Sequence, residues 1–188
     1  MKWLAGFLLL FSLTAGAEQR LTICYNYGCQ SQAEVVYSDG QLRELRALLL
    51  EAKDAEQERA ALGVAVGRLL GWAGQQSPIA ADKGGNFADL GVYGKMDCID
   101  HSMTTTRLLK MLEAQGMLRY HRVLERVLRR PFLVLDHYSA QIEELSADEG
   151  EGKDSRYVVD SWFFDNGQPA IVWPLARWMT GESPDGGG

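Results

Sequence analysis

The chain has 188 residues, of which 46% are hydrophobic, and it carries a formal net charge of -6 at pH 7. This length is sufficient for a single domain with a substantial core. The acidic balance argues against general binding to nucleic acid, which needs basic surfaces. The three cysteines leave one thiol over if the other two form a disulfide, so the redox compartment matters for the interpretation.

The first 17 residues have the pattern of a secretory signal peptide. Lys2 provides the positive start, residues 3–13 are apolar but too short to span a bilayer, and Ala15-Gly16-Ala17 is a small-residue cleavage site. An uncleaved anchor is the alternative. Cleavage before Glu18 would remove one lysine and no acid, which changes the charge from -6 to -7. We therefore expect a periplasmic or secreted protein with no stable membrane span after processing.

Residues 18–37 form the first predicted structure of the mature chain. Their tyrosines and β-branched residues favour extended strands, and Gly28 marks a small loop. Cys24 and Cys29 flank that loop and are near enough in sequence to form a disulfide. In an oxidising compartment this pair would be bridged, and Cys98 would remain a free thiol.

Two helices are predicted next. Ser38-Asp39-Gly40-Gln41 has the pattern of a capping box, and leucines at helical spacing behind it predict a helix over about residues 40–53. A second helix is predicted over about residues 54–73. Its glycines are four residues apart, at Gly63, Gly67 and Gly71. Because each glycine inside a helix costs about 1 kcal/mol relative to alanine, this row predicts close packing against another element of the core.

A long loop over residues 74–97 leads into a third helix. Loops of this length are commonly functional, so this one could form a wall of a cleft. Asp97 is a good N-cap with Asp100 three residues later, and Gly116 ends the helix. Cys98 therefore lies in the first turn, where backbone N–H groups and the helix dipole stabilise a thiolate. The flanking aspartates oppose this effect, so activation would need a basic partner, and with that partner we expect a lowered thiol pKa.

The last third of the chain has the pattern of antiparallel strands. Residues 118–130 fit a helix and a strand about equally well. Strands are predicted over residues 132–142, 156–162 and 169–173, with a turn at Asp165-Asn166-Gly167. A short helix over 175–179 and a flexible tail at 181–188 follow. Helices first and antiparallel strands afterwards predict one α+β domain over residues 18–180.

A cysteine nucleophile requires a histidine that accepts its proton and a third group that orients the imidazole. His101 lies one turn beyond Cys98 on the same helix, and His121 lies in the ambiguous segment. A sheet packed on the cysteine helix could instead bring His137 to the thiol. Asp160 ends an apolar strand, so it is expected to be half buried and to need a partner, which His137 would supply.

The order of these residues resembles a known family. The stretches Asp97-Cys98-Ile99-Asp100, Asp136-His137-Tyr138 and Val159-Asp160-Ser161-Trp162 are similar to motifs of the bacterial transglutaminase-like cysteine proteinases, within the papain-like enzymes. The resemblance covers residues 60 to 175. It implies a transglutaminase-like core with Cys98 as nucleophile, His137 as general base and Asp160 as orienting acid. Ile99 stands where relatives that bind calcium carry an acid, so a calcium site is doubtful, and no metal or other cofactor is expected.

These features predict an exported cysteine hydrolase, a peptidase that cleaves amide bonds of protein or peptide substrates in the cell envelope. Acyl transfer to an amine is the other outcome of the same chemistry. A noncatalytic envelope protein that keeps the fold and binds a partner is the alternative class. Such a protein would bury Cys98 as an inert small hydrophobic residue.

Overall fold

The computed structural model describes residues 18–85, 88–130, 136–145 and 155–184. The predicted signal peptide, the first residues of the strand predicted from 132, and the end of the predicted tail lie outside the described residues. The helices and strands in chain order are β1 (Gln19–Tyr25), β2 (Ser31–Tyr37), α1 (Asp39–Leu50), α2 (Ala55–Gly74), α3 (Cys98–Ala114), β3 (His121–Arg129), β4 (His137–Glu144), β5 (Arg156–Asp160), β6 (Ile171–Pro174) and α4 (Leu175–Met179).

The strands form two antiparallel sheets, so the α+β class is confirmed. β1 and β2 make a hairpin, which corresponds to the extended segment predicted at residues 18–37, and β3 to β6 make a four-stranded sheet in sequential order. The predicted Cys24–Cys29 disulfide closes the hairpin loop. Among the described residues no helix has the length and hydropathy needed to cross a membrane.

The segment that fitted both a helix and a strand is strand β3, and it contains a β-bulge. Leu124 pairs with Gln141 and Val127 with Ser139, so β3 has one residue more than β4 between these pairs. The extra residue reverses the alternation of faces. As a result, valines four residues apart pack into different clusters: Val123 against the main core and Val127 against a smaller one.

The four-stranded sheet separates two hydrophobic clusters. The main core joins α1, α2 and α3 to the hairpin and to one face of the sheet, and it contains Val159. The neighbouring Val158 points to the opposite face, as successive strand residues do, and packs with Leu175 and Trp178 of α4. Asp160, two residues beyond Val158, is therefore on the α4 side of the sheet.

The glycine row of α2 packs closely against the segment that leads into β6, as predicted. An added Cβ atom would lie 2.6 Å from the Ala170 carbonyl oxygen at Gly63 and 2.4 Å from the Gln168 carbonyl oxygen at Gly67. The Ala170 N–H donates to the Gly63 carbonyl at 3.0 Å. The bare helix face thus allows backbone to contact backbone.

Candidate active site

Cys98 is the first residue of α3, and the local sequence fixes that helix start. Asp97 is the N-cap, and its side chain accepts from the N–H groups of Ile99 and Asp100 while the Asp100 side chain accepts from the Asp97 N–H. This reciprocal capping box satisfies N–H groups that the first helical turn leaves unpaired. Cys98 is a free cysteine and is partly exposed.

The thiol lies against the start of β4. It donates to the carbonyl oxygen of Asp136 at 3.8 Å, and the Tyr138 N–H is close enough to stabilise the thiolate. These two backbone groups flank His137 in the chain. Within the described residues no hydrogen bond joins the thiol to the imidazole ring itself.

His137 and Asp160 form a buried pair. The Nε2 atom of His137 is 2.7 Å from Oδ2 of Asp160, and the residues are 7% and 1% exposed. The ring bond to Asp160 leaves Nδ1 as the nitrogen that can accept a proton from the thiol. The structure therefore brings two of the three expected residues into direct contact and puts the third beside the backbone of His137.

Three aromatic rings surround the imidazole of His137. Their centroids lie at 4.7 Å for Trp162, 5.6 Å for Phe163 and 5.6 Å for Trp178. Trp178 also donates from Nε1 to Oδ2 of Asp160 at 2.9 Å. The rings exclude water from the pair, which strengthens the electrostatic attraction between the imidazole and the carboxylate.

Trp178 and Arg129 belong to this site; the sequence indicated Trp178 only as a core or cleft-wall residue and gave no signal for Arg129. Arg129 is 5% exposed. It donates to the Trp178 carbonyl at 2.6 Å, and its guanidinium carbon lies 4.6 Å from the centre of the Trp178 ring. Burial lowers the pKa of Arg129, and the negative charge of Asp160 opposes that effect. The bulge in β3 hid the strand alternation that would have identified Arg129 as an inward residue.

The electrostatics of the pair favour an ionised Asp160. Burial alone would raise the pKa of this carboxyl, but the charge and hydrogen bond of His137, with donors from Trp178 and the Trp162 N–H, hold the pKa below its ordinary value. A carboxylate that stays ionised can orient the imidazole and stabilise its protonated form without taking its proton.

The expectation of a lowered thiol pKa is wrong for the resting structure. Burial raises the pKa of Cys98, and the negative charges of Asp97 and Asp160 raise it further, while the N–H groups of Tyr138 and Cys98 act in the opposite direction. The cause is desolvation, which disfavours an isolated thiolate. The surroundings of Cys98 therefore favour the neutral thiol over the thiolate.

The rings of the other two histidines are hydrogen-bonded to partners other than the thiol. His101 is buried between Oδ2 of Asp82, at 3.0 Å, and the Ser161 hydroxyl, at 2.9 Å. His121 is buried 2.9 Å from Glu58. In the pairing of β3 with β4, His121 lies opposite Glu144 and Arg129 lies opposite His137. These are the two ends of the paired strands, so His121 is far from His137.

The carboxylates beside Cys98 do not fit a cation site. Asp97 accepts from the N–H groups of Ile99, Asp100 and Gly28, and Asp100 accepts from those of Tyr27, Cys29 and Asp97. A calcium ion needs oxygen ligands whose lone pairs face it, whereas here both oxygens of each group face N–H donors. The sulfurs near Asp100, those of Cys24 and Cys29, are joined in the disulfide.

In comparisons with known proteins, no protein-family model, no curated protein and no solved structure matches the chain.

Proposed function

We propose that this protein is a cysteine hydrolase of transglutaminase-like type that acts on amide bonds of proteins or peptides. The observation that carries the proposal is the buried His137–Asp160 pair, whose histidine follows the backbone carbonyl that the Cys98 thiol contacts. A partly exposed thiol at a helix N-terminus, beside the backbone of a histidine that a carboxylate orients, supports nucleophilic cysteine chemistry.

The reaction follows from the roles of the three residues. Nδ1 of His137 takes the thiol proton while the sulfur of Cys98 attacks the carbonyl carbon of the amide. The C–N bond breaks, and His137 gives the proton to the departing amine. Water then attacks the thioester, which releases the acid and restores the thiol; a second amine in place of water gives acyl transfer instead. Asp160 stabilises the imidazolium, and the Cys98 N–H is the donor that we assign to the oxyanion.

This mechanism agrees with a neutral resting thiol. General-base removal of the proton at the moment of attack does not require a standing thiolate, and catalytic hydrogen bonds are often longer before substrate binds. In the proposed reaction the thiol exchanges its hydrogen bond to the Asp136 carbonyl for one to the imidazole. For the compartment we propose the periplasm or the cell exterior, because structural disulfides such as Cys24–Cys29 persist where conditions are oxidising.

A noncatalytic binding protein is the second candidate. The raised pKa of Cys98 and its hydrogen bond to a backbone carbonyl favour it. A cavity of about 440 Å³ between α2 and β6, lined in part by Arg59, Tyr157 and Val172, could hold a partner's side chains. Its lining includes none of the three candidate catalytic residues.

Thiol reactivity separates the two functions. The protein is treated with iodoacetamide between pH 5 and pH 9, and the rate of Cys98 modification is measured by intact mass. For the hydrolase we expect His137 to remove the thiol proton during alkylation, so that Cys98 reacts faster than a free model thiol at pH 7 despite its raised pKa. Cys98→Ala should remove the label, and His137→Gln should slow labelling about 100-fold. His121→Gln is the matched control, since it removes another buried, carboxylate-paired histidine roughly 25 Å away along the strand.

The control should unfold at a lower temperature but label at the native rate. Incubation of the native protein with envelope extract, with and without a primary amine, then distinguishes new peptide ends from amine incorporation. If Cys98 reacts no faster than the model thiol, and His137→Gln leaves the labelling rate unchanged, the chain belongs to the binding class.

A further inference from the structure

The loop between Cys24 and Cys29 has an unusual backbone. Four successive residues are left-handed: Asn26 at φ 66°, Tyr27 at 65°, Gly28 at 60° and Cys29 at 58°. Residues with side chains rarely adopt this conformation, and runs of several are rarer still. The disulfide closes the loop and keeps its two ends together, so the turn is maintained against the preference of three of its residues.

The left-handed turn points its N–H groups at the start of α3. The N–H of Tyr27 donates to Asp100 at 2.8 Å and that of Cys29 to the other oxygen of Asp100 at 2.6 Å. The N–H of Gly28 donates to Asp97 at 2.9 Å. Successive N–H groups in such a turn form a concave anion-binding nest, and here the nest holds the two carboxylates that bracket Cys98.

The same loop also holds the chain that enters α3. The Asn26 N–H donates to the Lys95 carbonyl at 2.7 Å, and the Asn26 side-chain oxygen accepts from the Gly94 N–H at 2.9 Å. The backbone before Cys98 and the carboxylates on both sides of it are therefore bound to one six-residue, disulfide-closed loop.

We propose that Asp100 and the Cys24–Cys29 loop are positioning elements for Cys98: the nest fixes the first turn of α3 and so fixes where the thiol lies relative to His137. This inference rests on the proposed function, since it assumes that Cys98 reacts. A displacement of about 1 Å in a reacting group can reduce a rate about 100-fold. The nest also puts N–H dipoles against the negative charge of Asp97, which otherwise disfavours the thiolate.

Two variants test this role by different routes. Asp100→Asn keeps the disulfide and the side-chain size, but its NH2 group must face one of the N–H donors of the nest. Cys24→Ser with Cys29→Ser keeps Asp100 and releases the loop. Asp54→Asn is the matched control, because Asp54 is the N-cap of another helix and accepts from the Gln57 N–H at 2.8 Å, apart from the thiol.

The measurement is the pH profile of Cys98 labelling by iodoacetamide, with the thermal midpoint of each protein alongside. Three titratable groups near the thiol, Asp97, His137 and Asp160, are unchanged in all variants. Asp100, whose pKa burial raises to about 6, is removed only in Asp100→Asn, so the serine pair tests the loop with this carboxyl in place. We expect both nest variants to label about tenfold more slowly at pH 7, with the half-maximal rate at higher pH, and Asp54→Asn to keep the native profile even if its midpoint falls. Hydrogen exchange in a peptide over residues 97–103 should quicken in the nest variants only.

The outcomes separate the inference from the proposed function. Native labelling profiles and native exchange in both nest variants, with Cys98 reactive in the native protein, would overturn the positioning role alone. Faster labelling of Asp100→Asn would also overturn it, since loss of a negative charge would then outweigh any positioning. A Cys98 that is unreactive in the native protein overturns both conclusions. Because Asp100→Asn retains the disulfide, the test stands even if the serine pair does not fold.

Discussion

Replacement of Asp160 by asparagine tests the centre of the site, because it keeps the shape of the side chain and removes its charge. The carboxylate accepts from His137 Nε2 at 2.7 Å, from Trp178 Nε1 at 2.9 Å and from the Trp162 N–H at 3.2 Å. An asparagine oxygen can replace the first acceptor atom, but its NH2 group must then face the Trp162 N–H. Loss of the Trp162 N–H bond to Asp160 and loss of a charged, buried acceptor together predict a fall of about 2–4 kcal/mol in the free energy of unfolding.

The same change should slow Cys98 labelling at pH 7 about tenfold, less than His137→Gln does, because the base is still present but is no longer held in one tautomer. Urea unfolding and the iodoacetamide rate measure the two effects. Trp178→Phe is the companion variant: it removes one donor to Asp160, so we expect about 1 kcal/mol less stability and a labelling rate near the native one.

The pH dependence of stability provides a second test of Asp160. The pKa of Asp160 is lowered in the folded protein, so its stabilisation is present above the unfolded value of about 3.9 and is lost as pH falls through the folded pKa. The stability gap between native protein and Asp160→Asn should therefore narrow below about pH 4. An asparagine variant that matches the native protein in both stability and labelling rate would refute the proposed role of Asp160 in orienting His137.

Two further predictions concern the scaffold. Gly67→Ala should lower the free energy of unfolding by about 1–3 kcal/mol, because the new Cβ would lie 2.4 Å from the Gln168 carbonyl oxygen. Gly40→Ala, whose new Cβ would lie 3.8 Å from the Ser38 hydroxyl oxygen, should be neutral or stabilising in the same urea titration, and equal losses would contradict this packing. Although burial alone would raise the pKa of Glu58, hydrogen bonds from His121 and from backbone N–H groups hold it lower. The thermal midpoint of Glu58→Gln should consequently approach the native value as pH falls below about 4.3, and a gap that stays constant with pH would argue against a charged Glu58.

Features set by neighbouring residues in the chain were predictable. The capping box at Ser38 and the N-cap at Asp97 are local, and both are confirmed. The Cys24–Cys29 pairing followed from short spacing, and the glycine row of α2 indicated close packing before the partner segment was known. The contact between His137 and Asp160 followed from strand order, because adjacent antiparallel strands bring such residues together.

Features set by distant contacts were not predictable. Desolvation of Cys98 depends on how α3 packs on β4, so local reasoning from the helix dipole gave the wrong direction for its pKa. Arg129 was hidden by the bulge in β3, which breaks the alternation that identifies inward residues. The left-handed turn at Asn26, Tyr27 and Cys29 is equally hidden, since a run of residues with side chains does not indicate positive φ.

The long loop before α3 is closed at its base. Oδ1 of Asp82 accepts from the Met96 N–H at 2.6 Å, and its other oxygen holds His101. The two ends of the loop are thus tied to each other and to the helix, in the manner of an Ω-loop. Together with the contacts of Gly94 and Lys95 to Asn26, these ties hold the chain that enters α3, so replacement of exposed loop side chains such as Leu90 and Val92 should leave Cys98 in place.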